Sequence, residues 1–335
     1  MNTRPFARTH WKVSEVGLGC WQLGADWGDV SEVEALKILH AAADSGVNFF
    51  DTADVYGLGR SESIIARFLR EYRNHTVHVA TKLGRFPQPG WPKPGDEGRG
   101  NFSLAAVRQH TEASLKRLGL EALDLTQLHC IPTEELRRGE VFDHLRTMQA
   151  EGKVRYWGAS VESMEEALIC LKQPGLTSLQ IIFNVLRQKP VTALFQHARH
   201  AGVAVIVRLP LASGLLSGKM TKATTFRPDD HRNYNRNGKE FNVGETFAGL
   251  PFEKGVDVVD RLKPLVPAGM TMAQFAMRWI LDHEAVTTVI PGATRPEQAA
   301  ANASASALPP LSDELHERVR EFYLDHVAAH IRGPY

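Results

Sequence analysis

The 335-residue sequence predicts a (β/α)8 TIM barrel, an α/β fold, with a hairpin before the barrel and extra helices after it. Short runs rich in β-branched and aliphatic residues recur along the chain, as expected for strands buried on both faces of a parallel sheet. Segments with helically spaced apolar residues alternate with these runs. No Gly-x-Gly-x-x-Gly motif follows the first run in the right context, which disfavours the alternative of an open, doubly wound sheet.

The predicted elements follow one another in a regular order. Residues 4–13 are expected to form a hairpin-like lead-in. The predicted barrel strands are residues 16–19, 47–51, 77–82, 123–129, 154–159, 179–184, 203–209 and 286–291. Ser31 is expected to cap the first helix. Later helices are predicted at residues 61–72, 103–118, 139–151, 163–171 and 191–200, beyond the 220s to 240s, from about 295, and at 312–330. All of them are predicted to belong to one domain, residues 1–335.

Two long connections interrupt this order, a proline-rich segment at residues 85–101 and a polar segment at residues 219–250. Both follow strands, so both belong to the carboxyl-end face, where barrel enzymes keep their active sites. Loops of this length usually cover or bind a ligand. Tolerated surface insertions are the alternative.

Composition excludes several classes of protein. The formal net charge of +1 argues against a nucleic-acid-binding protein. No apolar run approaches the roughly 20 residues that span a bilayer, and the polar start of the chain does not resemble a secretory signal. Three widely spaced cysteines, Cys20, Cys130 and Cys170, indicate neither a disulfide framework nor a zinc site. We therefore expect a cytoplasmic protein with no bound metal and no membrane partner.

Polar side chains stand at the carboxyl ends of three consecutive predicted strands. Asp51 ends the second strand and Tyr56 follows it, Lys82 ends the third strand, and His129 ends the fourth. Neighbouring strand ends converge in a barrel, and a buried charge needs a partner, so we expect these side chains to meet.

This combination predicts a proton donor beside a reacting carbonyl. The phenol of a tyrosine has a reference pKa of about 10, and an adjacent ammonium group should lower it. Lys82 supplies the ammonium, Asp51 holds it charged, and His129 can hydrogen-bond a carbonyl oxygen. None of these groups can supply a hydride, so a nicotinamide cofactor is needed.

Motifs along nearly the whole chain resemble those of the aldo-keto reductases. They are Gly17-Leu18-Gly19, the run from Phe50 to Gly57, Thr81-Lys82, Leu128-His129 and the run from Ile290 to Ala293. The resemblance implies that Asp51, Tyr56, Lys82 and His129 form a catalytic tetrad. It also implies reversible reduction of an aldehyde or ketone, including sugar-type carbonyls, with NADPH.

The resemblance further implies a cofactor-binding set. Its members are Gly19, Cys20, Trp21, Asp51, Ser160, Gln180, Arg208, Pro210, Leu211, Ser213, Gly214, Leu216, Lys219, Ile290, Gly292, Thr294, Arg295, Gln298 and Asn302. Arg295, Gln298 and Asn302 share one face of a helix whose start suits an anionic phosphate, which favours NADP over NAD. Two positions depart from the family pattern: Val161 replaces an asparagine, and Arg208 replaces an aromatic residue.

Two rival functions fit some of the same residues. Potassium-channel beta subunits share the resemblance, and a slow redox-sensing subunit is therefore an alternative. A lyase that uses Lys82 as a Schiff base is a second, although Asp51 should keep the amine protonated. Trp21, Trp27 and Trp91 are candidate walls of an apolar pocket. The expected ligand is a small carbonyl compound, and neither its identity nor the oligomeric state follows from the sequence.

Overall fold

Eight parallel strands form one continuous sheet that closes into a barrel. The computed structural model describes residues 1–24, 30–85 and 101–335. The barrel strands are β3 (Leu18–Gly19), β4 (Phe49–Asp51), β5 (His78–Leu83), β6 (Leu123–His129), β7 (Val154–Ser160), β8 (Ser178–Ile182), β9 (Ala204–Arg208) and β10 (Val286–Val289). They are hydrogen-bonded in sequence order. Parallel bridges Val16–Val289 and Gly19–Gly292 join the first strand to the last. The predicted (β/α)8 barrel is confirmed.

An antiparallel hairpin of β1 (Thr3–Pro5) and β2 (Lys12–Ser14) precedes the barrel, as predicted. Its Phe6 and Val13 side chains are fully buried in one cluster with Phe49, Leu125 and Ile206 of the barrel strands. The hairpin therefore packs against the barrel's inner core.

The alternation of side chains along a strand explains which residues reach the carboxyl end of the barrel. Phe49 and Ala80 belong to the inner cluster, and two residues further along the same strands are Asp51 and Lys82. The same step leads from Leu125 to Gln127 and from Ile206 to Arg208. Polar groups thus replace apolar ones on the inner face where each strand ends.

The helices alternate with the strands and cover the outside of the barrel. They are α1 (Glu32–Asp44), α2 (Arg60–Glu71), α3 (Leu104–Leu118), α4 (Thr133–Arg138), α5 (Glu140–Ala150), α6 (Met164–Leu171), α7 (Pro190–Ala193), α8 (Phe195–Ala201), α9 (His231–Tyr234), α10 (Phe252–Leu262), α11 (Met272–Leu281), α12 (Pro296–Ser304) and α13 (Asp313–His326). Ser31 caps α1 as predicted, because its hydroxyl accepts a hydrogen bond from the amide of Glu34 at 3.2 Å.

Two predicted helices have different limits from those expected. The helix predicted at residues 191–200 is divided into α7 and α8, because Leu194 leaves the helical region with φ of −134°. The last helix ends at His326 rather than near residue 330. The next residue, Val327, leaves the helical region with φ of −121°. Neither break is marked by glycine or proline, so the sequence pattern alone did not reveal it.

The polar segment at residues 219–250 packs closely against the barrel and is more than a surface insertion. It contains α9 and two short 3-10 turns, Val243–Glu245 and Phe247–Gly249, whose residues are largely buried. Arg187 is 1% exposed and donates hydrogen bonds to the carbonyl oxygens of Ala248 and Pro334 at 3.3 and 2.6 Å. That arginine therefore ties this segment to the end of the chain.

The other long connection, at residues 85–101, lies outside the described residues except for its two ends, and Trp27 and Trp91 lie outside them as well. Within the described ranges, no helix is long and apolar enough to cross a bilayer. Cys20, Cys130 and Cys170 are all free thiols.

Candidate active site

A buried ion pair joins the ends of β4 and β5. The Lys82 ammonium lies 2.5 Å from the Asp51 carboxylate and donates to the Thr52 carbonyl oxygen at 2.8 Å. Both charged side chains are at most 3% exposed. Burial is the largest effect and disfavours the ammonium, but the charges and hydrogen bonds of Asp51 and Tyr56 together outweigh it, so the pKa of Lys82 lies above its usual value.

Two amide side chains complete the surroundings of Asp51. Its second carboxylate oxygen accepts hydrogen bonds from Gln127 at 3.1 Å and from Gln180 at 2.7 Å. These residues lie on the inner faces of β6 and β8, so Asp51 is tied to three other strands. Gln180 was predicted as a cofactor residue, whereas Gln127 was missed. The available signal was the position of Gln127, a polar residue on the inner face of β6 two positions before His129.

The phenol of Tyr56 is the third member of this group. The Lys82 ammonium donates to its hydroxyl at 3.3 Å and lies 5.0 Å from the centre of its ring. Burial raises the pKa of Tyr56 to about 12, although Lys82 pulls the pKa down. The ammonium lowers this pKa as predicted, but burial outweighs it and the net shift is upward. The phenol is fully protonated at neutral pH, as an acid must be.

His129 completes the predicted tetrad at the end of β6. Its ring stands perpendicular to the Tyr56 ring, with 5.7 Å between the ring centres. Burial, followed by the charges of Arg85, Lys82 and Arg208, holds the pKa of His129 well below its ordinary value. Its Nδ1 has no hydrogen-bond partner within the described residues. The imidazole is therefore neutral and can hydrogen-bond a ligand.

Two arginines and two glutamates form a second charged group at the strand ends, which we call the Arg-Glu cluster. Arg85 contacts Glu162 at 2.5 Å and Glu245 at 3.2 Å, while Arg208 contacts Glu245 at 3.5 Å. Sequence reasoning missed Arg85, Glu162 and Glu245. The first two follow strand ends closely, which was a usable signal, but Glu245 belongs to a segment without periodicity.

A cleft of about 1860 Å³ opens over these groups. Asp51, Tyr56 and His129 line it, and Lys82 lies behind them, reaching Tyr56 from below the surface. All of the predicted cofactor residues line the cleft except Ser160 and Leu216, which are buried outside its wall. The Ser160 hydroxyl donates to Gln180 at 3.4 Å and contacts the Cys130 sulfur at 3.5 Å, and both of those residues line the cleft.

One end of the cleft is formed by the start of α12. Arg295 is the residue before the helix, and its side chain is exposed. Gln298 accepts hydrogen bonds from the amide and hydroxyl of Thr294 at 2.8 and 3.0 Å, and Asn302 donates to the Gly292 carbonyl oxygen at 3.3 Å. The residues on the predicted helix face thus brace the loop that precedes α12. A helix start with an exposed arginine suits a phosphate group.

The chain is similar to known proteins over nearly its whole length. The sequence profile of the Aldo/keto reductase family matches residues 15–324. A probable voltage-gated potassium channel subunit beta from Arabidopsis thaliana is 32% identical, with 93% of each chain covered. An NADH-specific methylglyoxal reductase from Escherichia coli is 29% identical, with 91% of this chain and 93% of that protein covered.

Among solved structures, a glycerol dehydrogenase from Gluconobacter oxydans superimposes with a TM-score of 0.80 at 29% identity. The match covers 100% of this chain and 98% of that one. Fold and site define an oxidoreductase barrel of the kind that uses a nicotinamide cofactor. The chain belongs to the aldo/keto reductase family.

Proposed function

We propose that this protein reduces an aldehyde or ketone with NADPH, and catalyses the reverse reaction, with Tyr56 as the proton donor. The observation that carries this proposal is the position of the Lys82 ammonium, 2.5 Å from Asp51 and 3.3 Å from the Tyr56 hydroxyl, beneath a cleft. A neutral imidazole and a protonated phenol lining one pocket suit a carbonyl oxygen that becomes an alkoxide.

The cleft fits a nicotinamide cofactor. Gln180 at its base offers an amide, Arg295 and Lys219 offer cations, and the start of α12 offers the positive end of its helix dipole. The His129 ring lines the cleft, so it can bind a ligand there. When bound, the cofactor supplies a hydride to the carbonyl carbon.

The residues of the chain then have separate tasks. Tyr56 gives its proton to the developing alkoxide, and His129 holds the carbonyl oxygen in place. Lys82 stabilises the phenolate that remains, since its raised pKa keeps it charged. Asp51 holds Lys82 in this position. We also propose that residues 1–335 form one domain in a cytoplasmic protein, which suits the single barrel sheet and the free thiols.

Oxidation of NADPH against a panel of aldehydes, ketones and sugars tests the proposal, with NADH run in parallel. We expect consumption of cofactor that depends on the carbonyl compound and follows NADPH more closely than NADH. If no carbonyl compound is turned over while NADPH still binds tightly, a slow redox-sensing subunit becomes the better description. The likeness to a potassium channel subunit beta is the observation that favours this second candidate.

Preference for NADPH should depend on Arg295. Replacing Arg295 by alanine should raise the KM for NADPH about tenfold and leave the KM for NADH nearly unchanged, because only NADPH carries the 2′-phosphate. Steady-state kinetics with both cofactors measures the effect. Arg318→Ala, which removes an exposed arginine from α13, is the matched control. Equal weakening of both cofactors would contradict a phosphate contact at Arg295.

A further inference from the structure

Arg208 places a fixed positive charge in the wall of the cleft that Tyr56 and His129 also line. It ends β9, is 9% exposed, and donates hydrogen bonds to the Val161 carbonyl oxygen at 3.3 Å and the Cys130 sulfur at 3.5 Å. Its Nε has no partner within the described residues. The guanidinium is thus held rigidly while keeping one donor unused.

Glu245 is the counter-ion of Arg208, and it also pairs with Arg85. Its carboxylate lies 3.5 Å from Arg208 and 3.2 Å from Arg85. Burial favours the neutral acid, but the two arginines and the hydrogen bonds to the carboxylate hold the pKa of Glu245 down at about 2, so it is ionised at neutral pH. One ionised carboxylate therefore faces two cations.

The net charge of the Arg-Glu cluster depends on the protonation state of Glu162. It contacts Arg85 at 2.5 Å, accepts a hydrogen bond from Asn242 at 3.2 Å, and feels the charges of Glu245, Arg208 and Glu166. Burial raises the pKa of Glu162 to about 7, with a further rise from the charges of Glu245 and Glu166, while the two arginines lower it. Below that pH the carboxyl group is neutral and the Arg-Glu cluster has a net positive charge. Above it, the cluster has two cations and two anions.

We propose that Arg208 and Glu245 set the preference of this site for reduced over oxidised cofactor. The inference rests on the proposed function. The nicotinamide ring carries a positive charge in NADP+ and none in NADPH, whereas the phosphates are the same in both. A fixed guanidinium in the wall of the site repels only the oxidised ring, and Glu245 limits the repulsion. The arginine thus favours carbonyl reduction by weakening the binding of NADP+.

The test is the ratio of the dissociation constant of NADP+ to that of NADPH, measured by fluorescence titration and by calorimetry. In Arg208→Gln the ratio should fall about tenfold, because Glu245 then faces the site with less compensation. In Glu245→Gln it should rise by a similar factor when it is measured near pH 8, where Glu162 is ionised in both proteins and cannot compensate for the lost charge. The charge-conserving Arg208→Lys should keep the ratio near that of the unmodified protein, even where both affinities weaken.

The opposite signs separate an electrostatic role from structural damage, which would weaken both cofactors alike. Should Arg208→Gln not fold, Glu245→Gln still decides the question. An unchanged ratio in Glu245→Gln, or a change of the same sign in both variants, would overturn the inference. An unmodified protein that binds neither cofactor would overturn the proposed function first, which is a distinct result.

The pH dependence gives an independent readout within the same titrations. Glu162 is neutral below about pH 7, so the ratio should be high near pH 6 and should fall as the carboxylate forms. Glu162→Gln should hold the ratio at its low-pH value throughout. The 2′-phosphate titrates in both cofactors and cancels from the ratio. A pH profile that is the same in Glu162→Gln as in the unmodified protein would contradict this account.

Discussion

Replacing Tyr56 by phenylalanine should lower the turnover number about a thousandfold while leaving NADPH binding intact. The substitution removes only the hydroxyl that receives the Lys82 hydrogen bond at 3.3 Å. The ring that packs near Trp21, with 5.9 Å between ring centres, remains in place. Turnover of a reactive aldehyde and fluorescence titration with NADPH together measure the two effects.

Tyr72→Phe is the matched control for this substitution. Tyr72 lies just after α2, and its hydroxyl contacts His75 at 3.2 Å, away from the cleft lining. That variant should keep its turnover. Full activity in Tyr56→Phe would remove the proton-donor role and the proposed mechanism with it. Loss of NADPH binding in that variant would instead show that the hydroxyl supports the cofactor.

Replacing Lys82 by methionine should abolish turnover and also lower the stability of the fold by about 3–5 kcal/mol. Methionine has a similar length but no charge, so Asp51 is left buried without its ion-pair partner. The pKa of Lys82 is raised above its ordinary value of 10.5 in the folded protein. Its contribution to stability is therefore complete at neutral pH and is lost only when the pH rises through that higher value.

The double variant Asp51→Asn with Lys82→Met separates the two effects of that change. An asparagine oxygen can still accept the hydrogen bonds of Gln127 and Gln180, but it carries no charge to bury. We expect the urea midpoint of the double variant to recover most of the loss, while activity stays absent. A double variant no more stable than Lys82→Met would show that the buried charge is not the source of the instability.

The sequence could predict the barrel because its strands are marked by composition and by order. The Asp51–Lys82 pair was predictable on the same footing, since charged residues at adjacent strand ends must meet. The pKa of Tyr56 was not, because the depth of burial depends on how the loops close over the site. Glu245 was missed for a related reason, since its segment is held by side-chain contacts and has no regular period.

The split of the helix at Leu194 shows a different limit. The apolar residues keep the same helical spacing on both sides of the break, so the sequence pattern does not reveal it.

The roles assigned to the cofactor residues remain predictions. Most of these residues line one cleft.

The closure of the barrel has a consequence for how the fold forms and opens. Neighbouring barrel strands pair along ladders, but the first and last strands meet through two bridges, Val16–Val289 and Gly19–Gly292. These contacts join opposite ends of the chain, so they close the largest loop and should form late in folding. These contacts form the seam at which the barrel closes. Gly19 and Gly292 lie on either side of this seam and both line the cleft. A cofactor bound there would contact both sides of the seam and stabilise the closed barrel.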